Sequence, residues 1–410
     1  MKIKNNIIDI SILIGALIIL FYSSDPIIYP DSHRYLNGNL HDPPLYSSII
    51  SMMLSIFGTL NSVIVLQTLF ISFSIIFFVK TLTTQFNLDL TIRALVSLFL
   101  FAPIIQFNRH LLTEPISYAF SLLFVSFTFK LIYNLNYKNL IWSTIFIIAL
   151  LLTRNQFLFL YPVILLLYLG ILILHHSKKT FSLLAISFLS IFLIHNALLN
   201  LNKYINQDTF KNENSIDKSA FLFIYIDAIY ISTSNDSKLF KNQNIQKTLT
   251  EIFGEMDKRK ALLKYYNGRG HFGLSLKDIR IYSKPLLKNL AIQENTDINS
   301  LKKEISIKLI KANITKYIKH IFKKFYDSAW LFVFVPFFML LASLINFIKH
   351  KSHFSLLVIF LSSFALANHS IVYLFGRVQP RYFIYSDFIL LIFIFITFAV
   401  LLKQKVKKIL

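Results

Sequence analysis

Four carboxylates and five arginines are the residues of this chain best suited to chemistry. Asp31 and Asp42 lie in a short polar stretch, Ser-Ser-Asp-Pro-Ile-Ile-Tyr-Pro-Asp-Ser-His-Arg-Tyr followed by Asn-Gly-Asn-Leu-His-Asp-Pro-Pro-Leu-Tyr, with Asp25 at its start. Glu114 lies within a second such stretch, Asn-Arg-His-Leu-Leu-Thr-Glu-Pro-Ile-Ser-Tyr. Arg34, Arg109, Arg154, Arg377 and Arg381 each sit near a carboxylate, an amide or a proline. A carboxylate can take a proton from a hydroxyl. A guanidinium stays charged and matches phosphate with a planar fork of donors. The pairing suits a reaction in which a hydroxyl is deprotonated while a phosphate leaves.

The rest of the chain says where that chemistry happens. Of 410 residues, 55% are hydrophobic and only 15% charged; mean hydropathy is +0.59. Soluble domains carry about 25% charged residues, so this chain needs lipid as part of its solvent. The net charge of +22 comes mainly from Lys in loops between apolar segments. That pattern fits anionic headgroups and argues against nucleic acid. There is no Cys, which excludes disulfides, thiolate nucleophiles and Cys-ligated zinc.

Ten apolar segments stand out, at 7–22, 60–80, 93–107, 114–133, 139–152, 157–174, 181–199, 328–348, 354–375 and 382–402. Most approach the ~20 residues a spanning helix requires. The first follows Lys2 and Lys4 and lacks a small-x-small cleavage site, so it is expected to remain as a helix. Segment 139–152 is short, but Lys138 and Lys178/Lys179 flank a pair of segments. The two are expected to cross as a hairpin with Thr153-Arg154-Asn155-Gln156 at its tip.

One face then collects Lys2, Lys4, Lys80, Arg93, Lys130, Lys138, Lys178, Lys179, Lys349, Lys351 and the C-terminal lysines, while the short loops opposite hold only the five arginines. The positive-inside rule makes the lysine face cytoplasmic. Both termini are expected inside, and the arginine loops outside. The fold class is therefore all-α and polytopic, with about ten transmembrane helices and a mostly helical extracytoplasmic region. Three blocks are expected: a seven-helix membrane module at 1–199, an extracytoplasmic region at 200–327, and three further helices at 328–410. The middle block should end in an amphipathic helix carrying Ile298, Leu301, Ile305, Leu309, Ala312, Ile321 and Phe325.

In the first outer loop, Asp31 or Ser32 should start a short helix that Pro43-Pro44 ends. Residues 45–57 should form an interfacial helix with Ser47, Ser51 and Ser55 as a polar stripe. This succession resembles the polytopic GT-C glycosyltransferases that use polyprenyl-phosphate sugars, such as the protein mannosyltransferases and the aminoarabinose transferase of lipid A. The resemblance rests on Asp31-Ser32-x-x-Tyr35 after the first helix and on Pro43-Pro44-Leu45-Tyr46 entering the interfacial one. It rests also on residues 108–118, on Thr153-Arg154 before Leu160-Tyr161-Pro162, and on Arg381-Tyr382. It covers residues 1–199 well and the remainder in architecture.

The resemblance implies transfer of a sugar from a polyprenyl-phosphate donor to a hydroxyl of a glycan, lipid or protein. It matches Asp31 to the catalytic carboxylate, Glu114 to the second acidic position, and the basic residues to donor-phosphate contacts. Arg34, Tyr35, Arg109, His110, Arg154, Arg377 and Arg381 are the expected substrate-binding residues. The family's Asp-Asp or Asp-Glu pair is absent, because Ser32 follows Asp31. That departure leaves metal dependence open: the residues identify no definite cofactor, and a divalent cation remains an expectation of the resemblance. His33 and His41 with Asp31 and Asp42 match no strong metal spacing.

Each residue also has a plainer reading. Asp31 would cap a helix, Glu114-Pro115 would start one, the arginines would snorkel and His110 would be structural. The Gly-rich stretch 267–273 reads as a turn and not a phosphate loop. Two other classes compete. An O-antigen polymerase or ligase would carry an Arg-rich long loop, whereas this one is Lys-rich. A transporter of lipid-linked sugars would carry ionisable groups at mid-membrane; Asp9 and Asp387 lie near segment ends.

Overall fold

A computed structural model describes residues 2–22, 25–29, 31–37, 42–205, 219–265, 272–375 and 382–409. Among these residues there is no strand; the one β contact is an isolated parallel bridge between Ile27 and His110. Each of the ten apolar segments is helical. Six helices are long and apolar enough to cross a membrane: Asn61–Phe86, Glu114–Tyr133, Asn155–His175, Lys178–Ile205, Val333–His350 and His353–Leu374. Ile7–Ile18, Leu90–Ala102, Tyr137–Leu151 and Ile384–Phe398 are apolar but shorter. The chain is a multi-pass membrane protein by this measure. It divides into two compact units, one of residues 1–210, 334–369 and 379–410, the other of 211–333 and 370–378.

The first unit is built around α6 (Glu114–Tyr133), which packs on α4 (Asn61–Phe86), α5 (Leu90–Phe107), α7 (Tyr137–Leu151) and the last helix, Ile384–Ile409. Nearly every α6 side chain is buried, as expected of a helix surrounded by helices. By contrast the described side chains of α1 (Lys2–Tyr22) bury a narrow stripe of Ile8, Asp9, Ile12 and Ala16 and expose Ile7, Ile10, Ile14 and Leu17. α9 (Lys178–Ile205) likewise exposes Phe181, Ile186, Leu189 and Leu193. Such contiguous apolar surface is stable only against lipid or protein.

Several hydroxyls inside the helices are satisfied by their own helix or a neighbouring one, whereas those of Ser117, Ser121, Ser362 and Ser363 have no partner among the described residues. Thr68, Ser72 and Ser74 each donate to the carbonyl four residues back. Ser187 of α9 bonds both Thr144 of α7 and Tyr168 of α8 (Leu160–His175) at 2.6 and 2.8 Å, stitching three helices together. Lys80 reaches Asp9 at 2.6 Å, tying α4 to α1.

Two short helices precede α4. α2 (Ser32–Leu36) starts where the sequence suggests, but by a different device. Asp31 occupies the cap position and makes no side-chain cap bond, its carbonyl accepting from the Arg34 N–H at 3.2 Å; Ser32 Oγ accepts from the Tyr29 N–H at 2.9 Å. α2 closes at Leu36, well before Pro43-Pro44, so the prolines do not end it; Pro44 precedes α3 (Leu45–Phe57). α3 buries Tyr46, Ile50 and Met53 and exposes Ser51 and Ser55 together with Met52, Ile56 and Phe57. Gly58 ends it at a φ of 68°, which an L side chain adopts only with strain.

The second unit is a helical bundle. α10 (Ser219–Ile231), α11 (Gln243–Lys258), α12 (Phe272–Gln293) and α13 (Ile298–Ala312) share a core that includes Tyr225, Ile229, Leu249, Phe253, Leu287, Leu301 and Ile305. The amphipathic helix expected at its end is in fact two: α13 stops at Asn313, and α14 runs from Ile314 to His350. Asn313 leaves the helical region at φ −120° and ψ 31°, breaking the run. α15 (His353–Phe375) and α16 (Ile384–Ile409) complete the chain.

Candidate functional site

Backbone hydrogen bonds gather distant loops of the first unit. The Leu45 N–H donates to the Leu152 carbonyl at 3.0 Å, fastening the start of α3 to the end of α7. The Ile27 N–H donates to the Arg109 carbonyl at 2.8 Å, and the Leu111 N–H returns to Ile27 at 3.2 Å. Three loops far apart in sequence therefore meet at one end of α6.

Glu114 and Arg154 meet there directly. Glu114 is 2% exposed, and its Oε1 lies 3.0 Å from Arg154 Nη1. Arg154 Nη1 also donates to the Tyr385 hydroxyl at 3.1 Å, and its guanidinium lies over the Tyr382 ring at 4.8 Å. Burial opposes the Arg154 charge, but Tyr385, Glu114 and Tyr35 outweigh it and hold its pKa well above the ordinary arginine value. The hairpin tip, in extended backbone at Arg154 before a 3-10 turn at Asn155–Phe159, is what aims the side chain.

The first loop supplies a second cluster. Arg34 donates to Asp42 Oδ1 at 2.5 Å. Asp31 is close enough to act electrostatically on both. Burial pushes the Asp42 carboxyl above its ordinary pKa, opposed by the charge and hydrogen bond of Arg34 and by the more distant Arg154. Asp42 Oδ2 is buried and accepts no hydrogen bond among the described residues. Tyr35 bridges the two clusters, sensing Arg154, Asp42 and Glu114, and burial pushes its phenol up to about 12. It packs edge-on against Tyr46 at 5.3 Å.

Asp31, Arg34, Tyr35, Glu114 and Arg154 are thus brought together. Arg109 and His110 are engaged elsewhere. Arg109 Nη2 donates to the Asp25 carbonyl at 2.8 Å, and His110 Nε2 lies 3.3 Å from the Tyr29 hydroxyl with the rings edge-on. They hold residues 25–29 in place. Arg377, Arg381 and His41 lie outside the described residues, as does most of the Gly-rich stretch 267–273. Among the described residues no group of three His, Asp or Glu side chains is close enough to hold a metal ion.

Asp42 carries more of the site than its place in the sequence suggests; its signal was proximity to Asp31 and Arg34. A second set joins Gln156 and Asp387 to Asn368, His369, Tyr385 and Ser386, which had no sequence signal. Gln156 donates to Asn368 Oδ1 at 2.5 Å and to the Tyr382 carbonyl at 3.0 Å, and accepts from Tyr385 at 3.1 Å. Asn368 donates to Ser386 Oγ at 2.9 Å, and Ser386 donates to Asp387 at 3.0 Å. Asp387 pairs with the fully buried His369 at 2.9 Å. A continuous polar chain therefore runs from Glu114 through Arg154 to His369. Comparison with protein-family models, with curated proteins and with solved structures finds no match for this chain.

Proposed function

We propose that this chain is a GT-C type membrane glycosyltransferase with ten crossings, both termini in the cytoplasm and its site on the extracytoplasmic side of the cytoplasmic membrane. Its donor is a polyprenyl-phosphate monosaccharide and its acceptor a hydroxyl of an envelope glycan, lipid or protein. The observation that carries the reading is the meeting of Asp31, Arg34, Tyr35, Asp42, Glu114 and Arg154 where three loops join at the end of α6.

The reaction is a single inverting displacement. Asp31 takes the acceptor's hydroxyl proton, the acceptor oxygen bonds to the anomeric carbon, and the bond from that carbon to phosphate oxygen breaks. The electron pair leaves with the polyprenyl phosphate. Preorganised donors on such a leaving group contribute roughly 3–4 kcal/mol each. Arg154 is the donor best placed for this, because Tyr385 and Tyr382 fix its fork. The described cluster holds three carboxylates against two guanidiniums. A phosphate therefore calls for more positive charge than the described cluster supplies. The described side chains do not by themselves form a metal-binding set.

In proteoliposomes supplied with a labelled polyprenyl-phosphate sugar, Asp31→Asn should abolish transfer while leaving expression and folding intact. Full activity in that variant removes Asp31 as the base. One observation favours a second reading, a transporter of lipid-linked sugar: Asp387 and His369 form a buried ionisable pair between α15 and α16. A transporter would move the donor across the vesicle without consuming it.

A further inference from the structure

The first half of α14 turns one apolar stripe away from the core of the second unit. Ile314, Ile318, Phe322 and Tyr326, spaced by four, are 49, 49, 69 and 53% exposed. Their orientation is imposed from the opposite side. His320 Nε2 lies 3.0 Å from Asp227 Oδ1, and Lys324 Nζ lies 3.0 Å from Oδ2, all three groups buried. The His320 ring packs on Tyr230 at 5.0 Å, and Ile321 is buried beside it. These contacts with α10 set the rotation of the helix, and at 3.6 residues per turn the stripe must then face outward. Lys316, Lys319 and Lys323 are exposed along one edge.

We propose that this stripe lies in the headgroup region of an anionic lipid bilayer. Two observations choose lipid over another occupant. The stripe is followed in the same helix by the candidate span Val333–His350, so the chain itself joins it to a membrane-crossing segment. Pro336 lies near the start of that span and removes one backbone hydrogen bond there, which lets the helix change direction between surface and core. The lysine edge is also what an anionic surface attracts. Docking would seat the second unit on the membrane through α14 and the Asp227 pair that orients it.

The absence of Cys makes the test direct. Full-length Ile318→Cys and Phe322→Cys, each labelled with an environment-sensitive fluorophore, are reconstituted in vesicles of phosphatidylcholine with phosphatidylglycerol. Lys303→Cys on α13 is the control. Spin-labelled lipid should quench the two stripe positions at least twofold more than the control, and Lys319→Gln with Lys323→Gln should reduce that excess. Quenching of the stripe by aqueous iodide with none by lipid overturns the proposal. So does cross-linking of the single-Cys variants into dimers, which would mean a second copy covers the stripe.

Discussion

At the residue scale, the pairing of Glu114 with Arg154 and of Arg34 with Asp42 decides what each group can do. Glu114→Ala would leave a buried guanidinium uncompensated, a loss of about 3–5 kcal/mol. It should lower the unfolding midpoint in detergent far more than Asp31→Asn, which only neutralises a partly exposed side chain. Equal destabilisation by the two would show that the Glu114 pair has little structural weight. Arg34 opposes the burial that raises Asp42. Arg34→Gln should therefore push the Asp42 carboxyl higher still, and the acid limb of the pH–rate profile should move toward higher pH. Asp42→Asn added to it should cancel the movement; an unmoved limb in Arg34→Gln would exclude Asp42 from the ionisations that limit the rate. Asp31, Arg34 and Tyr35 were legible in sequence because one short helix and its cap hold all three. That Arg154 meets Glu114, whereas Arg109 and His110 turn to residues 25–29, depends on loops joined across long sequence separations, and no local pattern records that.

Elements were legible where composition alone fixes them. The ten apolar runs are helices, and α3 has the bounds 45–57 read from its sequence, because Pro44 and Gly58 punctuate it. Less legible were breaks that rest on a single backbone conformation, such as Asn313 between α13 and α14. Helix spacing was hidden too. A Cβ on Gly170 of α8 would come within 2.2 Å of Leu356 Cδ1 on α15, so these two helices meet at a glycine. Leu356 is itself 1% exposed, which leaves its methyl little room to swing aside. Gly170→Ala should cost about 1–3 kcal/mol by overpacking. Leu356→Ala should recover part of that loss in the double variant, measured by thermal unfolding in detergent. Additive losses would mean that the two side chains do not share the strain.

Over the whole molecule the distribution of basic residues carries the argument. Lys138 and the Lys178/Lys179 pair flank the hairpin of α7 and α8, while its tip carries Arg154. Placing both lysine flanks on one side requires the hairpin to cross and return, and the cytoplasmic surface is where short-loop lysines are retained. The ion pair of Asp9 with Lys80 fits the same frame, since both belong to the lysine end of their helices. If this orientation holds, a cysteine replacing exposed Lys138 should react with a membrane-impermeant maleimide only after the cells are permeabilised. A cysteine replacing exposed Thr59, in the loop after α3, should react in intact cells. The reverse pattern would turn the Asp31 and Arg154 clusters toward the cytoplasm. A lipid-linked donor presented outside could then not reach them, and the transferase reading would fail through geometry even though every contact in the site remained.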